Sequence, residues 1–226
     1  MKSVFAVVIL SLFAIFGCKK NELMPDIDHS SKYQPLDVGY TWTYQMDSIS
    51  FYGNGSQNPD TIQYLVKRTI SNSFIDNAGL QSYKLNSYVM FDTLQGWVFQ
   101  RSYIESSTTS EIKRTVTDIT KVVISFPLAI EKEWDANLYN ALEAVECYFE
   151  TIHTPKTVGV TDYDSTATVM CKDKIFQTKR VFTKETYAAN TGLILQEVEN
   201  LENIDPENPK DIRGHKYTLT LISFEK

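Results

Sequence analysis

Histidine and cysteine are the side chains best suited to bind a metal ion or attack a substrate, and the 226-residue chain has three of each. Cys147 and His153 are six positions apart. On one strand they would share a face but lie roughly 20 Å apart, at ~3.3 Å per residue, which is too far for one metal ion. No Gly-x-Ser-x-Gly motif is present to hold a nucleophilic serine. The sequence therefore predicts no catalytic residue, no metal site and no cofactor.

Acidic residues offer a second kind of chemistry, because paired carboxylates can bind calcium or hydrolyse a glycosidic bond. Asp162 and Asp164 flank a tyrosine and could project to one side. Their spacing does not match the EF-hand motif, the calcium-binding loop that can be recognised from sequence. Turns also favour Asp for backbone reasons alone. Spacing also does not place two carboxyl groups across a cleft. A glycan-directed hydrolase is therefore kept only as an alternative function.

Cys147 and Cys171 form a candidate disulfide. They are 24 residues apart, and in an oxidising compartment such a bridge stabilises the fold by about 3 kcal/mol in the chain-entropy model. Two buried, unpaired thiols on non-adjacent strands would give the same cysteine count. Both interpretations remain open at this point.

Residues 1–17 have the pattern of a secretory signal peptide. The apolar run from Val4 to Phe16 is too short for a comfortable membrane span. It stops at Gly17-Cys18, which resembles the lipobox of bacterial lipoproteins, where the chain is cut just before an acylated cysteine. The resemblance implies lipid on Cys18, with each buried methylene contributing roughly 0.8 kcal/mol of membrane affinity. The alternatives are an ordinary secretory signal with an incidental cysteine and an uncleaved signal anchor.

The residues after Cys18 bear on location. Lys19 and Lys20 follow the cysteine, and no Asp stands directly behind it. By resemblance to bacterial lipoproteins this implies a lipid-anchored protein of the outer membrane, with the periplasmic face and the cell surface both open. Residues 18–35 are polar and irregular, which predicts a flexible tether. Residues 36–226 are predicted to form one domain.

The domain is predicted to be mainly β. From Val38 to Asp47 apolar and polar residues alternate strictly, which is typical of a half-buried strand. Turn-forming residues separate about ten such runs, so we expect antiparallel strands in a curved sheet, a sandwich or an open barrel. One short helix is expected over Trp134–Ala144, with Asp135 as its cap. The predicted strands are 38–47, 61–70, 80–91, 96–104, 111–125, 145–154, 157–170, 174–188, 193–201 and 214–224.

Charge and hydropathy exclude two classes of protein. The formal net charge is −6, and no Lys/Arg cluster is longer than a pair, so the electrostatic footprint of a nucleic-acid-binding protein is missing. After the leader no stretch approaches eighteen consecutive apolar residues, which argues against a further transmembrane helix.

Aromatic residues are the stronger candidates for ligand binding. Tyr40, Trp42 and Tyr44 share one face of a predicted strand, and Trp97 and Phe99 share another. Such faces suit a stacking platform for a glycan or a pocket for an apolar ligand. They equally suit the core of a β domain, where aromatic residues pack between layers.

One tripeptide pattern recurs more often than composition explains. The pattern is Asp followed by Ser or Thr and then by an aliphatic residue, Met or Thr. It occurs four times, where composition predicts about one occurrence. The pattern resembles the O-glycosylation sequon of gut-type Gram-negative bacteria. The alternative is that strands often begin with Asp followed by β-branched residues. The candidate hydroxyls are Ser48, Thr61, Thr93 and Ser165.

Three segments carry a resemblance that covers nearly the whole chain after the leader. They are residues 33–44, 126–137 and 187–193, compared with the patterns PL.VG..W.Y, W..N.YN and YA.G.GL. The third segment departs from its pattern, because Asn190 stands where the first glycine is expected, and asparagine also enters left-handed conformations. They resemble a broad group of uncharacterised outer-membrane or cell-surface lipoproteins from gut-type Gram-negative bacteria. The resemblance implies an antiparallel β fold and a cell-envelope location, and no activity.

Together these features predict an acyl-anchored envelope lipoprotein with a non-enzymatic binding or structural role. The membrane is one predicted partner, through the N-terminal lipid. A glycan, a lipid-like ligand and an envelope protein are the other candidates. The alternative function is a glycan-directed hydrolase or an accessory subunit of a surface glycan-uptake complex.

Overall fold

The computed structural model describes residues 31–53, 59–205, 207 and 211–226. The predicted signal peptide (1–17), Cys18 and most of the predicted tether lie outside these residues. Within the described part of the chain, no helix is both long and apolar enough to cross a lipid bilayer.

The described residues form one twelve-stranded antiparallel sheet, preceded by a short 3-10 helix at Ser31–Tyr33. The strands are β1 (Thr41–Tyr52), β2 (Asp60–Ile75), β3 (Gln81–Met90), β4 (Val98–Ser107), β5 (Glu111–Val116), β6 (Ile119–Ser125), β7 (Glu133–Asp135), β8 (Glu146–Val158), β9 (Thr161–Phe176), β10 (Lys179–Ala188), β11 (Gly192–Glu202) and β12 (Arg213–Glu225).

The strand order shows how the sheet curls. It runs β6-β5-β4-β3-β2-β1-β12-β11-β10-β9-β8-β7, so two six-stranded meanders join along β1 and β12. The two outer edges meet, because the Val122 amide donates to the Ala136 carbonyl over 2.9 Å and Trp134 Nε1 donates to the Val122 carbonyl over 3.2 Å. The result is a nearly closed barrel. The predicted mainly-β, antiparallel class is confirmed, with more strands than expected.

Three hairpins differ from their predicted positions. The turn between β9 and β10, expected near residues 171–173, lies at residues 177–178. Residues 111–125, predicted as one strand, form β5 and β6, with Thr117 in the turn at a φ of +42°. A β-branched residue is an unusual choice for this conformation, so Asp118 is left as a weak sequence signal for the turn. The turn between β8 and β9 lies at Gly159, whose φ is +61°, and not at Pro155. Pro155 instead sits where the β8–β9 register shifts, and such a site tolerates a missing amide.

The predicted helix over Trp134–Ala144 does not form. Its first residues are β7, and turns follow. The Asp135 carboxylate accepts the amides of Asn137 and Val145 at 2.8 Å each, and the Asn137 side chain donates to the Glu143 carbonyl over 2.6 Å. Short polar side chains here replace the backbone bonds that a helix would need. The prediction of Asp135 as a helix cap is therefore wrong, and its carboxylate holds a loop instead.

The N-terminal segment fills one end of the barrel. Tyr33 is 0% exposed, and its hydroxyl lies 2.8 Å from both His153 Nδ1 and Ser165 Oγ. Gln34 is also buried. The fold therefore includes these two residues, which the sequence had assigned to the tether, because an aromatic ring completes a core that the strands alone leave open.

Candidate ligand-binding site

The interior of the barrel contains a cavity of about 660 Å³. This volume is within the range of small-molecule sites in proteins. Much of its wall is apolar and comes from both meanders. The cavity reaches the surface beside the β5–β6 turn, since Thr117 and the half-exposed Ile119 both line it. The apolar wall includes Met46, Tyr64, Val66, Val116, Val123 and Val145.

Strand geometry explains why these residues face inward. Tyr64, Val66 and Arg68 are two positions apart on β2, and alternate residues of a strand share a face. On β4 the register shifts opposite Ser87 and Tyr88, and both Gln100 and Arg101 line the cavity there. A β-bulge of this kind turns an extra side chain toward one face.

A cluster of charged residues lies at the inner end of the cavity. Arg114 Nε is 2.7 Å from Glu105 Oε1, and Arg114 Nη1 is 3.4 Å from Glu185 Oε1. Glu105 is 0% exposed. Burial alone would lower the pKa of Arg114, but the attraction of the Glu105 carboxylate, of Tyr187 and of Glu185 holds that pKa well above its usual value. The guanidinium is therefore permanently charged and shared by two carboxylates.

The remaining oxygens of these carboxylates are also engaged. Gln34 Nε2 donates to Glu105 Oε2 over 2.7 Å, and Gln196 Nε2 donates to Glu185 Oε1 over 2.6 Å. The Tyr187 hydroxyl donates to Glu185 Oε2, and burial together with the Glu185 charge raises the pKa of Tyr187 well above its usual value. All four carboxylate oxygens thus accept a hydrogen bond from the protein. Glu105 and Glu185 therefore hold the donor groups of Arg114, Gln34, Gln196 and Tyr187 in place.

Arg68 differs from Arg114 in its partners. Its guanidinium carbon lies 5.1 Å from the centre of the Tyr44 ring and 5.9 Å from that of Tyr103. Among the described residues, no carboxylate oxygen lies within 4.0 Å of its nitrogens and no acceptor is hydrogen-bonded to it. Burial disfavours its charge, but the attraction of Tyr103, Tyr44 and Glu105 keeps its pKa above the usual value. Arg68 is deep in the fold yet partly accessible, because it lines the cavity.

Two further cations stand nearer the surface. Arg101 and Lys121 both line the cavity and are exposed. The cavity and its floor therefore hold four cationic side chains against the two carboxylates of Glu105 and Glu185, which leaves an excess of positive charge in a protein whose net charge is negative.

The two later cysteines meet across neighbouring strands. Cys147 on β8 and Cys171 on β9 are directly opposite each other and form a disulfide. Cys147 is fully buried, whereas Cys171 also lines the cavity. The bridge therefore fixes part of the cavity wall.

The four candidate glycosylation hydroxyls are in different environments. Thr61 and Thr93 are exposed, at the start of β2 and in the β3–β4 turn. Ser48 lines the cavity, and Ser165 is hydrogen-bonded to Tyr33. Two of the four candidate hydroxyls are therefore exposed, one lies in the cavity lining and one is hydrogen-bonded inside the fold.

The two aromatic faces also have different roles. Trp42 and Tyr44 are buried in the core, and Tyr40 packs against Phe224 with ring centres 5.5 Å apart. On the outer face of the sheet, Lys67 lies 4.5 Å from the centre of the Trp97 ring. The first face is therefore core, as one of the two open interpretations expected.

Histidine and acidic residues do not converge on a metal geometry in the described part of the chain, where no group of three or more His, Cys, Asp or Glu residues could hold an ion. His153 is an exposed residue of β8 with a φ of +51°, and it contacts Tyr33.

The charged residues of the cavity floor belong to no sequence motif. A signal for them exists nonetheless. Arg68, Glu105, Arg114 and Glu185 each stand two positions from a buried apolar or aromatic residue on the same strand. A charge in register with a buried face is uncommon, and this periodicity could have identified all four.

Comparison with known proteins gives limited similarity. No protein-family model and no curated protein matches the sequence. One similar solved structure is a protein from Bacteroides fragilis, described as exported and as having a YmcC-like fold, with 11% identity, a TM-score of 0.46, and coverage of 85% of this chain and 98% of that one. Another is described as a lipoprotein, from Parabacteroides distasonis, with 9% identity, a TM-score of 0.42 and the same coverage. Likenesses at this level carry no conclusion about fold or function.

Proposed function

We propose that this protein is an acyl-anchored lipoprotein of the cell envelope that binds a lipid-like ligand inside its β barrel. The observation that carries the proposal is the cavity of about 660 Å³ inside the curled sheet, much of whose wall consists of apolar side chains from both meanders. Small-molecule sites in proteins are concave, with mostly apolar walls and a few polar groups, so an elongated ligand with an apolar part suits this cavity.

The proposed role is binding without catalysis. A glycosidase needs one carboxyl group that can donate a proton and a second that attacks or activates water. Two carboxylates meet in this interior, those of Glu105 and Glu185. Each of their oxygens accepts a hydrogen bond, and the donors are Arg114, Gln34, Gln196 and Tyr187. This arrangement supports a structural role for both, and it favours the binding function over the hydrolase alternative.

The anchor rests on the sequence. Gly17-Cys18 resembles a lipobox, and the wider resemblance is to lipoproteins of gut-type Gram-negative bacteria. We propose that Cys18 carries the lipid and that the outer membrane is the destination. Cys18→Ser should abolish incorporation of labelled palmitate and release the protein from the envelope fraction. Unchanged labelling would refute the anchor and leave the cavity proposal standing.

The cavity proposal is tested with a neutral apolar fluorophore, N-phenyl-1-naphthylamine, on the mature chain (residues 18–226) carrying Cys18→Ser. We expect saturable binding with one site per chain. Val116 lines the cavity, so Val116→Phe should fill part of it and weaken binding by about tenfold, which is ~1.4 kcal/mol.

The neighbouring variant Thr115→Phe is the matched control. Thr115 faces the other side of β5 and pairs with Thr120 through their hydroxyls at 2.8 Å. It should bind the fluorophore as the parent does. Absence of saturable binding to the parent chain, or equal loss in both variants, would refute a ligand site in the barrel.

A further inference from the structure

We propose that the ligand has an acidic head group and that Arg68 is its receptor, so that the cavity takes an anionic amphiphile: a carboxylate, phosphate or sulfate on an apolar tail. This inference rests on the proposed ligand-binding function and adds the chemical class of the ligand.

The first argument is the absence of a counter-charge. Arg114 has two carboxylates within 3.4 Å, whereas Arg68 has none within 4.0 Å in the described part of the chain. Glu105 and Glu185 instead point their oxygens at Arg114, Gln34, Gln196 and Tyr187. Charged groups withdrawn from bulk water are normally paired. An anion bound in the cavity would supply the missing partner.

The second argument is geometry. The Tyr44 and Tyr103 rings lie 5.1 Å and 5.9 Å from the Arg68 guanidinium carbon, and they hold the side chain without using its hydrogen bonds. The planar fork of N–H groups therefore stays available. This fork matches two oxygens of a carboxylate or phosphate, which an ammonium group cannot do as well.

The third argument is the distribution of charge and apolar surface along the cavity. Arg101 and Lys121 are exposed cations in the cavity lining, so an approaching anion meets positive charge before it reaches Arg68. The walls beside this path are apolar, with Val66, Val116 and Val123 among them. An amphiphile satisfies both features, with its head at Arg68 and its tail along the wall.

The test compares ligands that differ only in the head group. Calorimetric titration of the mature chain carrying Cys18→Ser with decanoate, decyl phosphate and decanol separates the anion from the tail. We expect at least a tenfold tighter dissociation constant for one of the anions than for decanol, which is ~1.4 kcal/mol. The tighter of the two anions identifies the head group.

Variants then assign the effect to Arg68. Arg68→Met keeps an unbranched apolar side chain but removes the guanidinium, and it should remove the preference for the anion while decanol binds as before. Arg68→Lys keeps the charge without the fork and should lose part of the preference. Lys67→Met is the matched control: it removes one positive charge from the adjacent position on the outer face, where Lys67 lies over Trp97, and should leave all three affinities unchanged.

The outcomes are distinguishable. Equal affinities of the parent chain for decanoate, decyl phosphate and decanol would overturn the anion receptor and leave the lipid-like ligand in place. A preference that survives in a folded Arg68→Met variant would overturn the assignment to Arg68. If none of the three compounds and no neutral fluorophore binds, the proposed function itself fails.

Discussion

The side chains of Gln34 and Glu105 are hydrogen-bonded over 2.7 Å although 71 residues separate them in the chain. Gln34 precedes the first strand, and Glu105 lies in the middle of the first meander, where Arg114 binds its other oxygen. The bond therefore joins the N-terminal segment to the charged floor of the cavity. A polar residue at the end of the barrel completes a cluster that the strands assemble.

Removal of the Glu105 charge should destabilise the fold strongly. Glu105→Gln leaves Arg114 with only the longer contact to Glu185, and loss of one partner from a buried ion pair costs about 3–5 kcal/mol. Urea unfolding measures the change. Glu199→Gln, which breaks an exposed pair with Arg180, should cost less than ~1 kcal/mol. Equal losses in the two variants would contradict this account of the cluster.

Tyr33 should contribute to stability as a core residue. Tyr33→Ala removes a ring that is fully buried and should cost about 3–5 kcal/mol, as large-to-small core substitutions do. Tyr33→Phe removes only the bonds to His153 and Ser165 and should cost about 1 kcal/mol. Val38→Ala, at a half-exposed position, is the control. A Tyr33→Ala protein as stable as the control would return this segment to the tether.

The bridge between Cys147 and Cys171 should stabilise the protein measurably. The double variant Cys147→Ala/Cys171→Ala is expected to lose about 2–4 kcal/mol of unfolding free energy. Addition of reductant should destabilise the parent chain to a similar extent and leave the double variant unaffected. Labelling of two thiols in unfolded parent protein before any reduction would show that the cysteines are unpaired.

Asp76 should make stability depend on pH in the acid range. Its Oδ1 accepts the amides of Ala78 and Leu80 at 2.9 Å each, and the Leu80 bond is the main cause that lowers the pKa of Asp76 below its usual 3.8. Because the pKa of Asp76 is lower in the folded protein, the ionised carboxylate stabilises the fold at pH values above its usual pKa. This stability is lost as the pH falls through the lowered pKa. Asp76→Asn should therefore be less stable than the parent near neutral pH, and the gap should narrow in acid.

Unfolding curves at several pH values, together with a carboxyl titration by NMR, check the Asp76 prediction. Ser82→Ala removes one of the donors, at 3.1 Å from Asp76 Oδ2, and should give a weaker form of the same effect. A gap between parent and Asp76→Asn that widens in acid would have the wrong sign.

O-linked glycans, if the sequon resemblance holds, should be found on Thr61 and Thr93. Both hydroxyls are exposed, whereas Ser48 lines the cavity and Ser165 binds Tyr33. Peptide mapping of protein from its native host locates added hexoses, and Thr61→Val with Thr93→Val should remove them. Hexose on Ser48 would contradict the assignment, and an intact mass without hexose would leave strand-start propensity as the explanation of the pattern.

The sequence predicts the elements of this fold better than their connections. Alternation from Val38 to Asp47 identifies β1, because period-2 burial is a local property of a strand. The sequence does not predict the β5–β6 turn, because Thr117 is β-branched and such residues are typical of strands. The helix expected after Trp134 is replaced by side-chain bonds from Asp135 and Asn137, and such competition is invisible to propensity.

The candidate site could be predicted only in part. Inward-facing charges at Glu105, Arg114 and Glu185 can be found from alternation, but the pairing of Arg114 with the two carboxylates cannot. Arg114 meets Glu185 across 71 residues and across the two meanders. Which arginine keeps its donors for a ligand is therefore decided by the closure of the barrel.

The last strand in the described part of the chain is also central to the sheet. β12 lies between β1 and β11, and Thr41 is opposite Glu225. Because β1 pairs with β12, the β1 edge of the first meander remains unpaired until β12 has been synthesised. A circular permutant that starts at β7 and joins β12 to β1 through a short linker would run through all twelve strands as neighbours and should complete its sheet without that delay.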